Sequence, residues 1–303
     1  MSPIGGPSLI AWPLLSAEIL LFGATSFILL IAPANRAERH RLQVALAPLW
    51  RALSAAIILL SPMGLLIAAA EMADVPWWKA FPLLTEVMSE THVGRMWAWR
   101  LGSAALLTVI TGLPAAGIVR RIIVFILAGA LLLVESLSGH AIDLGAPAIA
   151  VYFVHEIAAA MWLGALFGLW FGFGRTDLGD EWVEHAVRRV SRAACYAVGI
   201  LVITGSCNAY EAIGLNPARL MDAAYGRTLL LKLGLFAIVL GIGGYNRFRL
   251  MPAVELAPTR RRLLRNVALE SALLLGVLGL TALLANTPPP HGMRGHRHPM
   301  MEM

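Results

Sequence analysis

Eight runs of predominantly apolar residues, each 20 to 27 residues long, divide this chain of 303 residues. An α-helix needs about 20 apolar residues to cross the hydrocarbon core of a bilayer. Lipid cannot satisfy backbone polar groups, and the runs lack the ten-residue alternation of a membrane β-barrel. Each run is therefore predicted to be a transmembrane helix: 9–33, 44–70, 95–114, 119–138, 148–173, 190–212, 227–246 and 263–286.

The composition excludes an ordinary water-soluble domain. Hydrophobic residues make up 58% of the chain and charged residues 14%, whereas soluble domains carry about 25% charged residues. We therefore predict an all-α fold, a polytopic membrane bundle of about eight transmembrane helices. Residues 1–290 form this single bundle, and residues 291–303 form a polar tail. The first run is predicted to be retained, because no basic residue precedes it and it exceeds the length of a signal-peptide core.

Arginines fall in alternate loops between the runs. Cytoplasmic loops of membrane proteins carry an excess of Lys and Arg, so these loops are predicted to lie inside and both termini outside. In a bacterial inner membrane the outer side is the periplasm. The net charge of +6 is thus a topology signal, and we predict membrane lipid and no nucleic acid as a partner. The arginines are Arg36, Arg39, Arg41, Arg120, Arg121, Arg175, Arg188, Arg189, Arg247, Arg249, Arg260, Arg261 and Arg262.

This topology places a set of polar and sulfur-bearing residues in the outer part of the bundle. Ionisable residues within a membrane are costly and usually face a cavity or a partner, so they are candidates for a site or pathway. Glu18 and Glu135 could pair with Lys232 or Arg227. His155 could instead be a buried histidine bonded to a neighbouring helix, and Cys207 could simply fill space. The set is Met88, His92, Glu135, His140, His155, Glu156, Cys207, Asn208, Arg227 and Lys232.

The tail is rich in histidine and methionine. Imidazole and thioether groups are ligands that favour copper, and thioethers favour Cu(I) in particular. We therefore predict that the chain binds copper ions, with the tail as an exposed capture segment and His140, His155, His92, Met88 and Cys207 as ligands in the bundle. The tail ligands are His291, Met293, His296, His298, Met300, Met301 and Met303.

Several short motifs in this order and spacing resemble the copper resistance protein D (CopD) family. The first is SGHA at 138–141, followed by VHEIAAAMWLG at 154–164. Later motifs are TGSCNA at 204–209, YGRTLLLKL at 225–233, YNR at 245–247, VALE at 267–270 and ANTPP at 285–289. The resemblance covers about residues 90–290, and the first two runs resemble the family only in architecture.

The resemblance implies an inner-membrane protein of copper homeostasis that takes copper from the periplasm toward the cytoplasm. It also implies a small periplasmic copper-binding partner of the CopC type. His140, His155, Asn208, Arg227 and Lys232 occupy motif positions, and Glu156 stands where an apolar residue is expected in relatives.

A copper permease is accordingly the predicted function, and the chain is predicted not to be an enzyme. No G-x-x-x-x-G-K-[ST] pattern for nucleotide binding is present. One alternative is a haem-binding electron-transfer protein, which is disfavoured because only His155 lies well inside a run. Another alternative is a copper-binding sensor or assembly factor that does not transport the ion.

Overall fold

The computed structural model describes residues 5–31, 35–113, 117–139, 141–175, 180–214, 220–221, 223–254 and 256–287. These residues form helices and turns and contain no strand. The helices are α1 (Gly5–Leu30), α2 (Arg36–Met72), α3 (Leu84–Glu90), α4 (His92–Gly112), α5 (Ile118–Ser138), α6 (Ala141–Leu144), α7 (Ala146–Arg175), α8 (Asp180–Ile213), α9 (Ala224–Tyr245) and α10 (Ala257–Ala285).

The predicted fold class, an all-α membrane bundle, is confirmed. Each of the eight apolar runs coincides with one of the eight long helices in the described part of the chain. Six of these, α1, α2, α7, α8, α9 and α10, are long and apolar enough to cross a membrane. The other two, α4 and α5, contribute Arg100 and Glu135 to the charge cluster described below. The number of spans and the side on which the termini lie stay predictions.

The helices extend beyond the apolar runs because polar residues continue and cap them. The Asn35 side chain accepts a hydrogen bond from the Ala37 backbone N–H at 2.9 Å, so α2 begins about two turns before its apolar part. Thr91 caps α4 in the same way, through the Gly94 N–H at 2.9 Å. After α9 the chain makes one turn of π-helix, Asn246–Leu250. Such turns are rare and occur frequently at functional sites.

Helix α1 lies at the centre of the bundle and contacts α2, α5, α7 and α10. In its most apolar stretch 78% of the residues are buried, against 11% for α9 at the periphery. The crossing of α1 and α7 is very close because glycines face each other there. A Cβ added at Gly164 would lie 2.2 Å from the Gly23 Cα, so only glycine fits.

Long-range hydrogen bonds show which helix ends lie together. Trp12 at the start of α1 donates to the Leu275 carbonyl in the second half of α10 at 2.9 Å. Arg189 near the start of α8 donates to the Leu30 carbonyl at the end of α1. Helix α1 therefore runs antiparallel to α10 and α8, and the arginine-rich ends gather at one end of the bundle. We call this the inner end, following the predicted topology, and the opposite end the outer end.

Large apolar side chains cover much of the outer surface of the bundle. Leu59 on α2 is 71% exposed, Ile203 on α8 69% and Leu231 on α9 66%. Exposed apolar surface of this extent would be unfavourable in water and favourable against lipid acyl chains. The surface thus agrees with a multi-pass membrane protein.

Candidate functional site

A buried guanidinium joins three helices in the outer half of the bundle. Arg100 on α4 is 3% exposed, and its Nε lies 3.1 Å from Oε1 of Glu18 on α1, which is fully buried. The Arg100 Nη2 donates to Glu135 on α5. The ring of Trp97 lies 4.6 Å from the guanidinium carbon and adds a cation–π contact. The prediction that Glu18 and Glu135 pair with Lys232 or Arg227 is wrong, because both carboxyl groups pair with Arg100.

Helix α7 adds a third carboxylate to this charge cluster. Glu156 accepts a hydrogen bond from the Ser136 hydroxyl at 2.7 Å and lies within electrostatic reach of Arg100. One guanidinium therefore faces three carboxyl groups, Glu18, Glu135 and Glu156. In an apolar interior uncompensated negative charge is unfavourable, so the surplus must be neutralised by protons or by another cation.

The residue of α7 that precedes Glu156 is His155, and its imidazole points toward α8. Its Nδ1 lies 2.8 Å from the Thr204 hydroxyl oxygen. The Thr204 hydroxyl already donates its one hydrogen to the Ile200 carbonyl at 2.7 Å, so Nδ1–H is the donor to Thr204. In the neutral imidazole, this arrangement puts the proton on Nδ1 and leaves the Nε2 lone pair available to a metal ion. His155 lies about 13 Å along α7 from its outer end.

The face of α8 that meets His155 stays polar toward the outer end. Asn208 and Glu211 follow Thr204 at helical spacing, so the three lie on one face of the helix. Asn208 Oδ1 and Glu211 Oε2 are buried and have no hydrogen-bond partner among the described residues. Buried acceptors without a partner are rare and call for a water molecule, a proton or a cation. We call His155, Thr204, Asn208 and Glu211 the polar seam.

Helix α9 contributes a positive charge beside the seam. Lys232 lies within electrostatic reach of His155 and has no ion pair with a described acidic residue. An ammonium group here weakens the attraction of the seam for a cation. Arg227, one turn and a half nearer the outer end, is exposed.

Comparison with known proteins adds an independent finding to this geometry. The family model described as "Copper resistance protein D-like, N-terminal domain" matches residues 7–148, and the model "Copper resistance protein D" matches residues 184–284. The chain belongs to the copper resistance protein D family. It is therefore a multi-pass membrane protein of copper homeostasis.

Two curated relatives agree with this assignment. "Copper resistance protein D" of Pseudomonas syringae pv. tomato is 28% identical over 89% of this chain and 93% of its own length. "Copper transport protein CutJ" of Bacillus subtilis (strain 168) is 29% identical over 53% of this chain, which is 29% of CutJ. No solved structure is significantly similar to the chain.

In this member of the copper resistance protein D family, the other predicted ligands lie apart. His92 Nε2 is 3.2 Å from the Leu137 carbonyl and so links α4 to the outer end of α5. Met88 packs against a small apolar cluster that includes Val87 and Leu65. Cys207 is exposed on α8. His140 lies outside the described residues, as do the tail ligands His291, Met293, His296, His298, Met300, Met301 and Met303.

The described residues contain no group of three or more His, Cys, Asp or Glu side chains close enough to hold a metal ion together. The polar seam and the charge cluster are two separate series of polar groups, and α7 contributes one of two adjacent residues, His155 and Glu156, to each. The ligand set predicted from the sequence stays a prediction, since one of its main members, His140, is not described.

Sequence reasoning missed three residues of this site: Arg100, Thr204 and Glu211. Arg100 is a charge in the middle of a predicted span, which is itself a signal of function. Thr204 and Glu211 lie at i−4 and i+3 from Asn208, so the polar face of α8 could be found from its helical spacing.

Proposed function

We propose that this chain is a copper permease that carries copper ions from the periplasm across the bacterial inner membrane. In this proposal copper is the cargo, and the chain binds and releases it without catalysing a reaction. Family membership supports the link to copper, and the Bacillus subtilis relative is named a copper transport protein.

One observation supports this proposal above the others. His155 holds an available Nε2 deep in the outer half of the bundle, below the buried, unpartnered oxygens of Asn208 and Glu211. Thr204 fixes the ring orientation and the tautomer, as partners of metal-binding histidines commonly do. The seam therefore offers a copper ion successive oxygen ligands and then a nitrogen ligand along a line from the outer end inward.

The charge cluster, to which α7 contributes Glu156, complements this path. Its surplus carboxylates lower the electrostatic cost of a positive ion beside α7, because they lie in a medium of low dielectric constant. The membrane potential favours inward movement of a cation by about 2.3 kcal/mol per unit charge and 100 mV. Before copper enters the bundle, a CopC-like periplasmic protein and the His/Met tail would deliver it to the outer end.

Replacement of His155 by alanine should reduce copper uptake into proteoliposomes by at least about tenfold, since the nitrogen ligand of the seam is lost. Uptake is measured as copper retained inside washed vesicles, with an imposed membrane potential, for the full-length chain. His185→Ala is the matched control, because His185 is exposed near the inner end, away from the seam. Its uptake should equal that of the unaltered protein.

Three results would contradict the permease proposal. Equal uptake by the His155→Ala and His185→Ala variants would remove the seam from the path. Copper binding without any uptake above empty vesicles would favour a sensor or assembly factor. A haem absorption band in the purified protein that disappears in His155→Ala would favour an electron-transfer protein.

The replacement Lys232→Leu should strengthen copper binding by about tenfold. It removes a positive charge that opposes a cation at His155 and adds no group that can bind copper. The measurement is a competition titration with a copper chelator, and uptake by the same variant should become slower because release is slower. If copper binding weakens instead, the Lys232 amine is itself a ligand and the electrostatic argument fails.

A further inference from the structure

An apolar cavity of about 310 Å³ lies between α8, α9 and α10 at the inner end of the bundle. Its wall is mostly aliphatic and includes Val187, Val190 and Val198 of α8 and Leu240 of α9. Two buried polar side chains in the wall, Asn246 and Glu270, bond to each other at 2.7 Å. The cavity has the size of a small-ligand site and an interior suited to hydrocarbon.

A basic recess of about 390 Å³ adjoins this cavity. It is lined by Arg188 and Arg192 of α8 and by Arg247 and Met251 after α9. Arg247 and Met251 also line the apolar cavity, so the two spaces lie side by side. The Arg247 Nη1 donates to the Ser191 hydroxyl at 2.6 Å, which holds this guanidinium at the junction. The π-helical turn at 246–250 includes Arg247.

Two of the three arginines of the recess have no acidic partner in the described part of the chain. Only Arg188 forms an ion pair there, with Glu184 at 2.5 Å, and both side chains are well exposed. Arg192 and Arg247 come from different helices, and neither has a described carboxylate within ion-pair distance. Converging guanidinium groups are the preferred protein ligands for phosphate.

We propose that the recess and the adjoining cavity together bind one anionic phospholipid of the inner leaflet. The phosphate group lies in the recess against Arg188, Arg192 and Arg247, and an acyl chain enters the cavity between α8 and α9. Basic pockets between transmembrane helices on the cytoplasmic side bind lipid head groups in this manner. The site lies at the inner end, whereas the polar seam lies in the outer half, so the proposal does not depend on copper transport.

Phosphatidylglycerol should bind the full-length protein in detergent more tightly than phosphatidylcholine with the same acyl chains, with one molecule retained in native mass spectrometry. The double variant R188Q/R192Q should bind phosphatidylglycerol about thirtyfold more weakly, because each arginine near a membrane surface contributes about fivefold. Both arginines are exposed, so the fold is retained. R261Q/R262Q, which removes two exposed arginines of α10, is the matched control and should bind normally.

Two further measurements separate a phospholipid from free phosphate. Ala194→Trp fills the cavity and keeps the arginines, so it should weaken phosphatidylglycerol binding. Glycerol 3-phosphate, which has the head group without acyl chains, should compete only at much higher concentration. Equal binding of the two lipids, normal binding by R188Q/R192Q or by Ala194→Trp, or equal competition by glycerol 3-phosphate would each overturn the proposal.

Discussion

Replacement of Arg100 by methionine should destabilise the bundle by about 3–5 kcal/mol, enough to remove most of the folded protein. Methionine has a similar length but no charge, so Glu18 loses its ion-pair partner in a fully buried position. Glu135 loses the same partner, and α1, α4 and α5 lose the group that joins them. The yield of monodisperse protein in detergent and its thermal unfolding midpoint would measure the effect.

Two comparison variants separate this effect from a general sensitivity of α4. Arg95→Met alters an exposed arginine of the same helix and should leave the unfolding midpoint almost unchanged. Addition of Glu18→Gln to Arg100→Met removes one of the two carboxyl groups that have lost their ion-pair partner, and it should recover part of the lost stability. An Arg100→Met protein as stable as the unaltered chain would show that the cluster holds no uncompensated charge.

Replacement of Gly164 by leucine should prevent α1 from packing on α7. Even a Cβ at this position would lie 2.2 Å from the Gly23 Cα, and backbone cannot yield as the end of a flexible side chain can. Overpacking typically costs about 1–3 kcal/mol, and a whole leucine at a backbone contact should exceed that range. We expect aggregation or loss of the cooperative unfolding transition, measured by size-exclusion chromatography and tryptophan fluorescence.

Gly199→Leu offers the same substitution at a permissive position. Gly199 lies on the exposed surface of α8, and a Cβ there would meet nothing within 4 Å. Leucine also has a higher helix propensity than glycine, so this variant should be at least as stable as the unaltered protein. If both leucine variants behave alike, the close α1–α7 crossing does not limit the fold.

The helices could be predicted from the sequence because lipid leaves few choices for an apolar run of 20 residues or more. The order of the helices in the bundle could not be predicted. Nothing in the apolar pattern of α1 indicates that it is central while the equally apolar α9 is peripheral. Apolar faces pack on any neighbour, so positions are set by specific close contacts such as Gly23 with Gly164.

The functional site, like the fold, could be predicted from the sequence only in part. The depth of His155 in α7 follows from counting residues, and its available nitrogen depends on a threonine 49 residues away. The sequence places Glu18, Glu135 and Arg100 in spans and does not indicate which charges meet. Pairing depends on the rotation of each helix and on which helices are neighbours, and both are properties of the assembled bundle.

The central position of α1 also bears on how the protein is made. During synthesis α1 enters the membrane before α4, which supplies Arg100, the ion-pair partner of Glu18. Until α4 is inserted, α1 must reside in lipid or against the insertion machinery with the Glu18 carboxyl group unpaired. Its other neighbours, α7 and α10, follow later still. Assembly of this protein is therefore completed late, when the last helix closes around the first.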